Sequence, residues 1–257
     1  MKLRKIFAKT KPNKEFLIAL TSLLVSIVTV FIMVATNKIM NTTNKIMETQ
    51  IEVEKADKIP IINFEASYRE NQNGFAVGEI ITIHNEGGIM TDFNSEEITY
   101  IEIEILDYSR VNEQIKIKIP INDYYSVKFA TGALKKKIIT YDNFSHKDGN
   151  NKKRFDVINN FMDLMEPYSE QKSKELGKAF SIGVPEFKTY FYVEYTDIFN
   201  QTYNTYYEVD HFGAKKINDE STGEELFSAD LSQSVSLEDI NENMLLDILK
   251  KRLELDR

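Results

Sequence analysis

One stretch of the chain differs in pattern from everything after it. Phe16 to Thr36, FLIALTSLLVSIVTVFIMVAT, carries no charge, no glycine and no proline. At ~1.5 Å rise per residue such a run, as a helix, is long enough to cross an apolar bilayer core of about 30 Å. Residues 16–36 are therefore read as a single transmembrane anchor and the lipid bilayer as its partner. The apolar core is longer than that of a secretory signal, and Val34-Ala35-Thr36-Asn37 lacks the small-residue exit of a cleavage site, which favours an uncleaved signal anchor. After it the pattern turns polar. NKIM occurs at Asn37–Met40 and again at Asn44–Met47, and Ile39, Ile46 and Val53 continue the seven-residue spacing. Residues 37–58 are expected to form a helical stalk, either a plain spacer or a short self-association seam.

From Ile61 the periodicity drops to two. PIINFEASY reads as a first strand introduced by Pro60, and Phe75–His84 as a second that leaves through Asn85-Glu86-Gly87-Gly88. The clearest hairpin follows. Ile101, Ile103 and Ile105 share one face of a strand with Glu102 and Glu104 opposite; Ile115, Ile117 and Ile119 do the same with Lys116 and Lys118. One antiparallel register pairs Glu104 with Lys116, Glu102 with Lys118, Ile105 with Ile115 and Ile103 with Ile117, which predicts a charged, solvated outer face and an apolar inner one. Tyr124–Ala130 and Lys137–Tyr141 read as further strands. Glu186–Val209 is a second hairpin turning at Asp197–Gln201, with Phe187, Phe191, Val193 and Tyr195 on one face and Tyr190 and Tyr192 on the other.

Two helices interrupt the strands. Phe155, Ile158, Phe161, Met162 and Met165 recur at three and four residues, so residues 154–177 read as a helix that Pro167 bends or splits and that stops at Gly177. Lys216–Ser234 reads as a polar, acidic loop. Ser236-Leu-Glu-Asp239 resembles a capping box, and Leu237, Ile240, Met244, Leu245, Ile248, Leu249 and Leu253 trace the apolar side of a C-terminal helix starting there.

Charge orients the anchor. Lys2, Arg4, Lys5, Lys9, Lys11 and Lys14 precede Phe16 against Glu15 alone, although the chain as a whole is at -8. The basic flank is expected to stay in the cytoplasm, with the C-terminal part outside the cell membrane. The acidic remainder is a poor match to nucleic acid or to anionic lipid surfaces. With no cysteine at all, disulfides, thiolate metal sites and thiol catalysis are excluded. An exported, cysteine-free domain rich in Ile, Lys and Asn fits a bacterial surface.

The histidines, His84, His146 and His211, have no metal-ligand spacing, and no nucleophile elbow, phosphate loop or dinucleotide fingerprint occurs. The chain is read as not an enzyme, with no cofactor and no metal. Two features remain as candidate ligand surfaces. Tyr190, Tyr192 and Tyr206 form an aromatic strip that could stack on sugar rings or be core. Lys135, Lys136 and Lys137 form a basic run that could meet an anionic wall polymer or be solvated.

The plan of basic leader, apolar helix and β domain is shared with type IV pilins, but the pilin glycine and the glutamate of its helix are missing: Glu15 precedes Phe16, and Leu20 stands where the glutamate belongs. The strand and turn ITIHNEGG resemble the strand-then-Asn-x-Gly pattern of bacterial Ig-like domains. With the anchor, stalk and Pro60, the chain resembles the broad group of bacterial single-span membrane proteins with an Ig-like ectodomain, a resemblance that implies no activity. The expected architecture is a basic tail (1–15), an anchor (16–36), a stalk (37–58), an antiparallel Ig-like β-sandwich of seven to nine strands (59–218) with a helix inserted near 154–177, and an acidic linker with an amphipathic C-terminal helix (219–257). The expected role is a non-catalytic interaction or scaffold domain that binds another envelope protein. A wall-polymer or glycan-binding module is the first alternative, and a carboxylate-dependent envelope enzyme the second.

Overall fold

The computed structural model describes residues 13–107, 113–130, 137–143, 150–228 and 234–255. The chain divides into two compact units, one ending at Asp57 and the other starting at Lys58.

The first unit is one helix, α1 (Lys14–Ala56), without a buried residue. It runs through the apolar stretch and the polar stretch alike, because neither contains glycine or proline to stop it. It is long and apolar enough to cross a membrane by length and composition. At ~1.5 Å per residue it spans about 65 Å. Its hydroxyl side chains turn inward: Thr21, Thr29, Thr42, Thr43 and Thr49 each donate to a carbonyl one turn back.

The second unit is mostly β, built as two sheets with helices at their margins. The smaller sheet joins β1 (Ile62–Glu70), β2 (Ala76–Asn85), β5 (Val127–Ala130) and β6 (Lys137–Asp142) in the order β1-β2-β6-β5. The larger contains β3 (Met90–Asp107), β4 (Glu113–Asn122), β7 (Phe180–Ile182), β8 (Glu186–Asp197), β9 (Thr202–Asp210), β10 (Gly213–Ile217) and β11 (Val235–Ser236). Its order is β10-β9-β8-β3-β4-β11, with β7 pairing β3 in line with β8. Every pairing is antiparallel except β11 on β4. Among the described residues, three helices complete this unit: α2 (Asn150–Leu176), α3 (Glu220–Phe227) and α4 (Glu242–Leu255).

The turn that follows β2 shows how sequence becomes geometry. Asn85 Oδ1 accepts from the backbone N–H of Ile61 and of Gly87, while its amide donates to the Gly88 carbonyl. Gly88 N–H donates to Ile59 O at 2.9 Å. A Cβ on Gly88 would overlap the Lys58 carbonyl, so the Asn-Glu-Gly-Gly turn clasps the strand lead-in at a distance that only glycine allows. The β8–β9 turn is held likewise by Asp197, whose carboxylate accepts from the N–H of Phe199 and of Gln201, with Asn200 at φ 59°.

The β3–β4 hairpin has the register predicted from its alternation: Glu104 opposite Lys116, Glu102 opposite Lys118, Ile103 opposite Ile117. The isoleucines face inward and are buried, Ile115 only partly. There they meet Phe64, Ile81, Ile83, Ile139 and Tyr141 of the smaller sheet in one core. Phe191 is at its centre, fully buried, with ring centroids of Tyr141 at 5.0 Å, Phe64 at 5.3 Å and Tyr125 at 6.4 Å. The ends of this core are closed by Val157, Phe161 and Met165 of α2 and by Leu245 and Leu249 of α4.

Three expectations are corrected. The stretch Lys216–Ser234 is not simply a loop: it finishes β10 and forms α3, whose Leu226 is buried. The C-terminal helix does not start at Ser236. Val235 and Ser236 pair in parallel with Ile121 and Asn122, which holds them extended, and Ser236 instead caps a turn by accepting from the Glu238 N–H. Asn241 caps the helix, accepting from the Met244 N–H at 3.0 Å. The strands number eleven among the described residues, beyond the seven to nine expected.

Candidate functional site: the outer face of the large sheet

Beyond the bulge at Met90–Asp92, even-numbered residues of β3 and those of β8 point away from the main core. The register sets Ile98 opposite Tyr190 and Glu96 opposite Tyr192 across β3–β8, and Tyr192 opposite Tyr206 across β8–β9. This is the aromatic strip predicted from sequence, and α3 lies over it. Ile98, Tyr100, Tyr190 and Leu226 form a second small core, with Ile217 and Phe227 against it. Tyr100 donates its hydroxyl to the Leu226 carbonyl. The Phe227 ring sits 6.2 Å from Tyr192 and 5.6 Å from Tyr206. Gly223 lets the helix approach, since a Cβ there would overlap the Tyr206 ring. Tyr190 is thus buried, at 5% exposure, while Tyr192 and Tyr206 are half-buried with their centroids 5.1 Å apart.

Beside this small core is a feature that the alternation pattern misplaced. Glu102 was expected on a solvated charged face; it is 3% exposed. Tyr190 donates its hydroxyl to Glu102 Oε1 at 2.8 Å. Three ammonium groups surround the same carboxylate: Lys188 at 3.3 Å, Lys116 at 3.5 Å and Lys118 at 3.9 Å. Lys116 also reaches Glu104 at 3.1 Å, and Lys188 reaches Glu186 and Glu208. Burial pushes the Glu102 carboxyl up, but the Tyr190 hydroxyl and the lysines together outweigh it and hold the group below the ordinary glutamate value. In turn, burial and then the Glu102 carboxylate raise the Tyr190 phenol far above its usual value. Tyr100 is pushed up to about 12, chiefly by burial. The cluster keeps Glu102 charged and both tyrosines protonated, which suits a fixed anchor point for neighbouring strands and offers no group poised near neutral pH for proton transfer.

Alanine at Glu102 removes the acceptor of a buried hydroxyl and the counter-charge of three lysines. The expected cost is about 2–3 kcal/mol, at the low end for a buried ionic centre because the lysines reach solvent. The pH dependence follows from the sign. A carboxyl held low in the folded state adds stability above its unfolded value, about 4.3, and that stability fades as pH falls through the folded value. Urea unfolding should therefore show a wild-type-to-Glu102→Ala gap at pH 7 that shrinks on acidification below about pH 4. A gap independent of pH would show that the fold does not lower the Glu102 carboxyl, and one that widens on acidification would show that it is neutral in the fold.

Lys137 of the basic run does not join this face. Lys137 lies on β6 of the smaller sheet, exposed and opposite His84, while Lys135 and Lys136 lie outside the described residues. Of the histidines, His84 pairs with Glu65 at 2.9 Å and His211 lies against Phe212 with the rings tilted; His146 is outside the described residues. Among the described residues, no group of three or more His, Cys, Asp and Glu is arranged to hold a metal. An open groove of about 920 Å³ runs between α2 and the β7 segment, floored by Met162, Met165, Phe180 and Ile182 and flanked by Glu166 and Lys174.

Two elements of the outer face escaped the sequence pattern. α3 was hidden in a polar stretch, although Leu226-Phe227 at its end is the signal that it covers something apolar. The depth of Glu102 depends on Lys188, which arrives from β8 some eighty residues later and is invisible to a local reading.

No protein-family model, no curated protein and no solved structure matches the chain.

Proposed function

We propose that the chain is a single-span membrane protein whose residues 59–218 form an Ig-like β-sandwich outside the cytoplasm, followed by the C-terminal additions, acting as a non-catalytic interaction or scaffold domain of a bacterial envelope. The observation that carries the anchor reading is α1, a helix that buries nothing and whose residues 16–36 carry no charge. Orientation rests on the six basic residues before Phe16.

The Ig-like reading is supported by strand order. Ig-like sandwiches place strands A, B, E and D on one sheet and G, F and C on the other, with an added C′ beside C in the larger variants. Taken in chain order, β1-β2-β6-β5 follows A-B-E-D and β9-β8-β3-β4 follows G-F-C-C′. α2 and β7 are then an insertion between E and F, and β10, α3, β11 and α4 are additions after G. The chain has neither the cysteines nor the tryptophan of antibody domains. Phe191, ringed by Phe64, Tyr125 and Tyr141, fills the centre instead.

An interaction role is favoured over glycan binding because α3 buries Tyr190 and leaves Tyr192 and Tyr206 only half exposed for stacking on sugars, and Lys137 sits on the other sheet. The two readings separate in one experiment. Purified chain is sedimented with cell wall at low salt, and in parallel crosslinked in intact envelopes. The proposal expects no wall pull-down and a reproducible crosslinked envelope protein. Saturable wall binding that disappears with Tyr192→Ala and Tyr206→Ala would overturn it.

A further inference from the structure

We infer that α1 is a parallel self-association helix along its whole length, with a second copy of this chain as its partner. The inference rests in part on the anchor reading, since two anchored copies are held parallel and level.

The first observation is spacing. Ile18, Val25, Ile32, Ile39, Ile46 and Val53 recur every seven residues through the apolar and the polar half of α1. All six are β-branched and aliphatic, and all are more than half exposed in the single chain. Three residues after each stand Thr21, Val28, Ala35, Thr42, Thr49 and Ala56, none larger than valine. In heptad terms, β-branched residues fill a and small residues fill d. A straight helix drifts ~20° per heptad from a seven-residue repeat, or about 100° over the five intervals from Ile18 to Val53. The stripe stays on one side only if two helices wind around each other in a left-handed supercoil.

The second observation is that the polar groups on this stripe are already satisfied. Thr21 donates to Leu17 O, Thr42 to Lys38 O and Thr49 to Lys45 O, each at 2.9 Å. Their hydroxyls are spent within the helix, so a partner can cover these positions without orphaning a donor. Inside a bilayer, small residues let helices approach closely, which is the usual basis of association there.

The third is the state of the polar half. A helix from Asn37 to Ala56 in water draws most of its stability from packing an apolar face. In the single chain Ile39, Ile46 and Val53 pack against nothing. Across a parallel pair, Lys38 and Lys45 at g meet the uncharged Thr43 and Gln50 at e, so the seam carries no like-charge contact there. Glu52 meets Asp57 at the very end of the helix, the one repulsive pair.

The absence of native cysteine makes the test direct. Single cysteines are placed in the full chain at the seam (Ile39→Cys, Ile46→Cys, Val53→Cys) and off it (Asn41→Cys, Asn44→Cys, Glu48→Cys). Each variant is fractionated, oxidised with copper phenanthroline and run on a non-reducing gel. Seam positions should yield at least tenfold more disulfide-linked dimer than the off-seam ones. No dimer at any position, or equal dimer at all of them, overturns the inference. Chain recovered in the soluble fraction instead overturns the anchor reading, and the crosslinking pattern still reports the seam.

Discussion

Phe191→Ala is expected to lower the stability of the β unit by about 3–5 kcal/mol, the cost of deleting a large aromatic from a packed core. Phe191 is fully buried and touches the core from both sheets: Tyr141 and Phe64 from the smaller, Tyr207 opposite it on β9. Three aromatic contacts at 5.0 to 6.4 Å are lost together, and the surrounding rings hold one another too firmly to close the cavity. A native domain is stable by about 5–15 kcal/mol, so such a loss is a large share of the total. Urea unfolding of the detergent-solubilised chain, followed by circular dichroism, measures it. Phe212→Ala is the control, because Phe212 is 87% exposed and its loss should stay within about 0.5 kcal/mol. Equal effects for the two would contradict the stacking of the sheets around Phe191.

The second large effect concerns α1. Leu23→Asp together with Ile27→Asp places two carboxylates near the middle of the apolar run, one turn apart and away from the Ile18–Val53 stripe. Each charge at the centre of a membrane helix costs about 2.5–3.5 kcal/mol on the insertion scale, so the pair costs about 5–7 kcal/mol. The double variant should leave the carbonate-washed membrane pellet while keeping the strand content of the wild type, since the core of the β unit uses no residue of α1. Membrane retention equal to wild type would mean that residues 16–36 are not what holds the chain there.

How much of this was legible in the sequence varies with the physics of each element. The β3–β4 hairpin was readable because isoleucine and charge alternate on both strands and only one register satisfies both. The first half of β3 was not. Its inward residues include Ser95, polar yet buried, and what makes it a strand residue comes from elsewhere: the Tyr141 hydroxyl on Ser95 at 2.6 Å. The β8–β9 aromatics could be sorted onto two faces, but not into covered and open ones, because the cover, α3, lies in a stretch that is acidic and weakly apolar. Ser236 carried a helix-start signal that lost to two residues of parallel pairing with β4. Glu102 was read as half of a surface charge ladder. Its burial follows from β3 being central, with β8 bringing Lys188 and Tyr190 against it. Local alternation reports which way a side chain points; it does not report what arrives on the other side.

The central claim is an anchored chain with its β unit outside. Protease treatment of intact protoplasts, with one epitope tag before Met1 and another after Arg257, tests it most directly. The account predicts that the C-terminal tag is lost at once while the N-terminal tag survives until the membrane is permeabilised. A C-terminal tag protected in intact protoplasts and cleaved only after lysis would contradict it.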